Sequence, residues 1–145
     1  RDVLEVARPA WMRCSFIDAV LTELAVFAAG SGTNAHVIVC DNFTALTRSA
    51  GGKSVQIGVA RDMAKRWAAE VGSSRSVVTM VNHNNTHWCA ARILFDETVV
   101  EMYDPLPRSK QSDRATQFSF SLLKLLGNAI LAQQGGGEEA DFSRQ

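Results

Sequence analysis

Two side chains suited to acid–base chemistry lie on neighbouring predicted strands. The sequence around them is rich in β-branched and aromatic residues, which predicts strands at Thr86–Leu94 and Glu97–Asp104, with Pro105 as a stop. A tight two-residue turn between these strands places His87 directly opposite Asp104, with Cβ atoms roughly 5 Å apart. An imidazole and a carboxylate are therefore expected face to face at the open end of a strand pair.

A carboxylate beside a histidine fixes the tautomer of the imidazole and stabilises the imidazolium. Such a pair is the base-and-orienter part of a nucleophilic triad, which also needs a serine or cysteine. The pair has a structural interpretation as well, because two polar groups at the end of a sheet can simply satisfy each other. Geometry alone favours the structural interpretation, since such pairs are common without catalysis.

The same register predicts the other contacts across the strand pair. Cys89, two residues from His87 and on the same face, is expected to be a buried core thiol. The expected neighbours are Cys89 with Met102, Trp88 with Tyr103, and Arg92 with Glu101 on a diagonal.

The elements around the strand pair predict a single α+β domain over residues 1–145, with about three helices on a small sheet that contains antiparallel strands. Apolar residues at helical spacing, such as Trp67 and Val71, indicate the helices, and Gly30 and Gly72 indicate two of their ends. Residues after the triple glycine, Glu138–Gln145, are expected to form a polar tail. The other predicted elements are a helix at Ser15–Ala29, a strand at His36–Asp41, a helix at Val59–Val71, a strand at Ser76–Val81 and a helix from Asp113 or Thr116 to about Gln134.

The composition argues against several classes of partner and cofactor. Fifteen basic and fifteen acidic residues give a net charge of zero, so neither a nucleic acid nor a membrane is predicted as a partner. Three cysteines without paired spacing indicate free thiols in an intracellular, reducing compartment, the nucleus or cytoplasm. The three histidines and three cysteines show no metal-ligand spacing, and no cofactor is predicted.

Two stretches of the chain resemble one protein family. The run N-H-N-N-T-H-W-C at Asn82–Cys89, followed by an apolar strand and Y-D-P-L, resembles the His and Asp strands of the ubiquitin-like-protein (SUMO) cysteine proteases. These proteases are the Ulp family, which has the adenain-like fold. The segment Trp11–Leu24, W-M-R-C-S-F-I-D-A-V-L-T-E-L, is similar to an N-terminal helix of that family.

This resemblance implies a cysteine-type peptidase, a hydrolase that cuts the peptide or isopeptide bond after the Gly-Gly tail of a ubiquitin-like modifier. It implies that His87 holds the thiolate and protonates the leaving amine, and that Asp104 orients His87. It also implies that Trp11 and Trp88 flank the tunnel for the Gly-Gly tail, although two core tryptophans fit the sequence equally well. The chain has Arg13-Cys14 where the family has Asn-Asp, which leaves the identity of the modifier open.

The nucleophile is the missing part of this resemblance. The family order is His, Asp, Gln, Cys, yet no cysteine follows Cys89 in this sequence. Gln133 and Gln134 are expected to end a helix and not to serve as the oxyanion donor. The chain, which opens on Arg1, is therefore expected to be a truncated and inactive piece of a peptidase.

Two alternatives remain open at this stage. Cys14, at the start of the first predicted helix, could be the nucleophile of a complete papain-like deubiquitinase that uses Cys14, His87 and Asp104. Against this alternative, no Gln or Asn precedes Cys14 within a few residues. The chain could also be a pseudoprotease that binds a ubiquitin-like tail in a groove between Trp11 and Trp88 without cutting it.

Overall fold

A computed structural model describes residues 14–37, 62, 65–83, 87–105 and 110–145. These residues form three helices and a five-stranded sheet, which confirms the predicted α+β class. Residues 38–41 of one predicted strand lie outside the described residues. So do most residues of the predicted helix Val59–Val71 that precede Trp67. The elements are α1 (Cys14–Gly30), β1 (Ala35–Val37), α2 (residues 65–71), β2 (Ser76–His83), β3 (His87–Leu94), β4 (Val99–Tyr103), α3 (Lys110–Gln133) and β5 (Ser143–Arg144).

The sheet has the strand order β1-β2-β3-β4-β5. The three middle strands are antiparallel, and the two outer strands each run parallel to their neighbour. Because strand side chains alternate between faces, one face of β2, β3 and β4 is apolar and packs on α2 and α3. The most deeply buried side chains on this face and its helices are Val77, Val81, Ile93, Val100, Leu122, Leu123, Leu126 and Ile130.

The loop between β3 and β4 is longer than the sequence suggested. Four residues, Phe95–Thr98, connect the strands, and the Thr98 amide donates to the Phe95 carbonyl over 3.3 Å. Thr98 has a φ of 50°. A two-residue hairpin needs glycine, asparagine or aspartate in left-handed positions, and Phe95 does not suit one of them. The chain instead makes a turn that is closed by one left-handed residue.

This loop shifts the predicted pairing of β3 and β4 by two residues. Ala90 lies opposite Tyr103, and Ala91 lies opposite Met102. The predicted pairs Cys89–Met102, Trp88–Tyr103 and His87–Asp104 are therefore wrong as directly opposed pairs. A shift of two preserves the face of every side chain, so the division into core and outer faces stands. Arg92 and Glu101 lie directly opposite each other, with Nη1 and Oε2 3.7 Å apart.

The C-terminal segment is part of the core, and the prediction of a polar tail is wrong. Phe142 is 3% exposed and packs on α3 and Ile93. A Cβ added at Gly127 would lie 2.9 Å from the Phe142 ring, so the absence of a side chain there makes room for the ring. Asn128 also holds the segment, because its side chain accepts from the Ala140 amide and donates to the Ala140 carbonyl at 2.8 and 3.2 Å.

Helix α1 lies on the other face of the sheet. Ile17 and Leu21 are buried there against Trp88. The apolar side of α1 is only partly buried, since Leu24 is 45% exposed and Phe27 is 72% exposed. The helix meets a narrow part of the sheet near β1, so only one side of the stripe finds a partner among the described residues. No helix in the described ranges is both long enough and apolar enough to cross a membrane.

Candidate active site

Asp104 follows the last residue of β4, on the face of the sheet that packs against α3. The last observed pair of the β3–β4 ladder is Ala90 with Tyr103, so the next pair in register is Cys89 with Asp104. The side chains of these two residues form a hydrogen bond, and Asp104 is half-buried. The carboxylate predicted to face His87 directly therefore faces a thiol.

Cys89 is a member of the hydrophobic core and is 1% exposed. Burial, and to a smaller extent the charge and hydrogen bond of Asp104, together raise the pKa of the Cys89 thiol from 9.0 to about 12. A thiol with such a pKa is neutral at physiological pH, whereas a cysteine nucleophile reacts as the thiolate. The predicted role of Cys89 as a core thiol is confirmed, and its environment does not suit a nucleophile.

A small cavity lies beside this pair. It has a volume of about 10 Å³, close to the minimum that holds one water molecule. Its walls come from three parts of the chain, which are the strand pair, the first half of α3 and the C-terminal strand. The lining residues are Cys89, Met102, Asp104, Thr116, Arg144 and Gln145.

The pairing of β5 with β4 brings the last two of these residues to the site. The Gln145 amide donates to the Val100 carbonyl over 3.0 Å, and the Met102 amide donates to the Gln145 carbonyl over 2.9 Å. Arg144 lies opposite Val100 in this parallel pair. Neither Arg144 nor Gln145 could be predicted from the sequence, because a two-residue strand has no periodic signal. The one signal was Phe142, a large apolar residue among polar ones.

His87 is the first residue of β3 and pairs with His83 of β2. It precedes Cys89 by two residues along β3. The side chain of His87 lies outside the described part of the structure. The sheet thus brings the backbone of His87 and the Asp104 carboxylate to the same end of the β3–β4 pair, on a diagonal.

Of the two tryptophans predicted to flank a tunnel, Trp88 lies on the opposite face of the sheet from Asp104. It is 7% exposed and packs against Ile17 and Leu21 of α1, with Met80 nearby. Trp11 lies outside the described residues. Trp88 therefore fixes α1 on the sheet, whatever else it contacts.

The remaining candidates are two cysteines and a glutamine. Cys14 is the first residue of α1, the helix on the Trp88 face, and its side chain and Cys40 lie outside the described part of the chain. Gln134 follows α3, and its amide donates to the carbonyls of Gly72 and Ser74 at 2.6 and 3.2 Å. Its predicted place at a helix end is confirmed. Within the described ranges, no three His, Cys, Asp or Glu side chains lie close enough to hold a metal ion.

Two solved structures of the SUMO protease Ulp1 are similar to this chain. The form with the catalytic cysteine oxidised to a sulfinic acid gives a TM-score of 0.66 at 16% identity, over 100% of this chain and 59% of that one. The sulfonic acid form gives a TM-score of 0.63 at 16% identity, over 100% of this chain and 60% of that one. No family model and no curated protein matches the sequence. The chain spans about three fifths of those structures and has their α+β cysteine-protease fold.

Proposed function

We propose that this chain supplies the His–Asp part of a cysteine peptidase of the SUMO-protease type. In this proposal His87 takes the proton from a cysteine thiol and later gives it to the leaving amine. Asp104 holds the imidazole in the productive tautomer and stabilises its charged form. The substrate is the bond that follows the Gly-Gly tail of a ubiquitin-like modifier.

The observation that carries this proposal is the place of Asp104. Its carboxylate is half-buried at the end of β4 and at the end of the sheet where β3 begins with His87. A carboxylate partly removed from water interacts with a nearby imidazolium more strongly than an exposed one, because screening is weaker. The similarity in fold to a SUMO protease supports the same assignment.

The nucleophile in this proposal is a cysteine other than Cys89. A thiol with a pKa of about 12 cannot supply the thiolate near neutral pH. From the family resemblance, we propose that the nucleophile lies after the helix that follows the Asp strand. Reading the parent gene beyond Gln145 tests this point, and a Gln followed within a few residues by Cys-Gly is the expected result.

The proposed His–Asp pair can be tested on the chain itself by following the imidazole of His87 with NMR as pH changes. Replacing Asp104 with Asn should lower the pKa of His87, because the imidazolium loses its anionic neighbour. Asp96→Asn is the matched control, since Asp96 lies in the loop at the other end of β3 and β4. An unchanged His87 titration in Asp104→Asn contradicts the proposed pair.

A second experiment tests which cysteine reacts with the tail of a modifier. A SUMO or ubiquitin tail that ends in a thiol-reactive electrophile should leave Cys89 unmodified. Modification of Cys14 would instead support the papain-like alternative.

Binding of a modifier can be tested separately from cutting. Titration with SUMO and with ubiquitin should perturb NMR signals around Trp88, and Trp88→Phe should weaken the binding. Trp67→Phe is the matched control, because Trp67 is equally buried, at 8% against 7%, but packs on the other face. No binding of either modifier at high micromolar concentration contradicts the proposed partner.

A further inference from the structure

Cys89 is an ionisable group in a core of mostly aliphatic side chains. Its neighbours on the same face include Val81 across β2 and Ala91 along β3, both at most 3% exposed. A carboxylate lies next to it at the edge of that core. We propose that Cys89 is a positioning residue whose thiol donates a hydrogen bond to Asp104 and thereby fixes the carboxylate that orients His87. This inference rests on the proposed function.

The direction of the hydrogen bond follows from the chemistry of the two groups. An ionised carboxylate only accepts hydrogen bonds, and a neutral thiol has one proton to donate. The Cys89 thiol is neutral across the physiological range, because burial and Asp104 raise its pKa to about 12. The thiol therefore keeps its proton and acts as a permanent hydrogen-bond donor. It does not react with substrate as a thiolate.

The two partners are held to different degrees. Cys89 lies in β3, the central strand, which pairs on both sides with β2 and β4. Asp104 lies one residue beyond β4 and is followed by Pro105, which cannot donate a ladder hydrogen bond. The rigid residue thus supplies a fixed donor to the less constrained one. Outer-shell partners of this kind are what keeps a catalytic side chain in its productive rotamer.

A small cavity lies next to this side of the carboxylate. The adjoining cavity of about 10 Å³ has room for at most one water molecule. Thr116, Arg144 and Gln145 close its other walls. The thiol therefore donates to the carboxylate with little competition from bulk water, and Thr116 and Arg144 offer further donors from the other walls.

The test uses NMR titrations of the Asp104 carboxyl carbon and the His87 imidazole in the 145-residue chain. Cys89→Ala should move the Asp104 titration to higher pH, because the charged carboxylate loses a donor. It should also move the His87 titration to lower pH, because the carboxylate is no longer held toward the imidazole. Cys89→Ser, which keeps a donor of similar size, should restore both titrations toward the wild-type values.

Val81→Ala is the matched control, because Val81 lies opposite Cys89 on β2 and truncating it also removes core volume. It should leave both titrations unchanged. Equal shifts in Val81→Ala and Cys89→Ala, or no shift in Cys89→Ala, would overturn the inference. A shift of Asp104 without one of His87 would also overturn it, since Cys89 would then not act through Asp104 on the imidazole.

A measurement on the unmutated chain covers the case in which Cys89→Ala does not fold. The Cys89 thiol proton should exchange slowly with solvent and show a nuclear Overhauser effect to the Asp104 Cβ protons; rapid exchange overturns the inference. The Asp104→Asn variant tests the proposed function separately. If that variant shifts the His87 titration and Cys89→Ala does not, the His–Asp pair stands and only the role of Cys89 fails.

Discussion

The two ends of the five-stranded sheet each carry an aspartate, but the two carboxylates lie in different surroundings. Asp96, in the loop after β3, is 53% exposed in its side chain and pairs with Arg75, whose side chain is 67% exposed. Asp104, after β4, is half-buried beside a buried thiol. The first carboxylate joins the β3–β4 loop to the residue before β2 at an exposed position, where an ion pair contributes little to stability. The second lies where water is scarce, which suits it to control a neighbouring titratable group.

The largest expected effect concerns the anchor of β5, the strand that brings Arg144 and Gln145 to the Asp104 cavity. Phe142→Ala should lower the free energy of unfolding by about 3–5 kcal/mol, because a buried ring is lost next to α3. Urea unfolding measures this loss. Hydrogen exchange should also show faster exchange at the Ser143 and Gln145 amides, which donate to Thr98 and Val100. A loss below about 1 kcal/mol would mean that the ring is not a core anchor.

The second prediction compares the two carboxylates directly. Asp104→Asn should lower the pKa of Cys89 from about 12, yet keep it above 9.0, because burial is the largest cause of the rise. Asp96→Asn should leave that pKa unchanged. The rate of thiol alkylation as a function of pH measures both. Equal effects of the two substitutions would remove the distinction between the two ends.

The third prediction concerns stability at alkaline pH. The pKa of Cys89 is higher in the folded chain than in the unfolded chain. The contribution of the neutral thiol to the free energy of unfolding is therefore complete below pH 9.0 and is lost as pH rises toward about 12. Cys89→Ala lacks this loss. The difference in unfolding free energy between wild type and Cys89→Ala should therefore shrink across that range. A constant difference would show that the thiol titrates alike in both states.

The fourth prediction concerns the Asp96 end, where Gln134 connects α3 to the chain before β2. Gln134→Ala should cost about 1 kcal/mol of unfolding free energy, because the carbonyls of Gly72 and Ser74 lose a donor but can bind water instead. Gln133→Ala, at an exposed neighbouring position, serves as the control. A cost above about 3 kcal/mol would make this contact as important to stability as the Phe142 ring.

The smallest effect is expected at the ion pair itself. A double-mutant cycle on Arg75 and Asp96 should give a coupling of about 0.2–1 kcal/mol, which decreases in high salt. Thermal or urea unfolding of the two single variants and the double variant measures it. A coupling that does not change with salt would indicate a more enclosed pair than the exposed side chains suggest.

The helices and the strand face were predictable because they depend on periodicity. Trp67 and Val71 on α2, and Leu122 and Leu126 on α3, recur at helical spacing and are buried. The register of β3 and β4 was not predictable, since it depends on the left-handed conformation of Thr98, a residue that gives no sequence signal for it. The predicted face of Asp104 was correct, because the error in the β3–β4 register was an even number of residues.

The cavity beside Asp104 could be predicted only in part. Cys89 and Asp104 were singled out from the strand pattern, whereas Arg144 and Gln145 arrive through a short parallel pairing. That pairing depends on tertiary contacts, namely the Phe142 ring on α3 and the Asn128 side chain on Ala140. Local propensity carries no information about such contacts.

The close fit of Phe142 over Gly127 has a consequence for how the sequence can vary. The two positions share one fixed volume, because the ring occupies the space that any side chain at Gly127 would need. A library that randomises both positions should return a small residue in the helix with an aromatic one before β5, or the reverse order of sizes, and few pairs of two large residues. Variation at one of these positions is thus conditional on the other, although 15 residues of chain separate them.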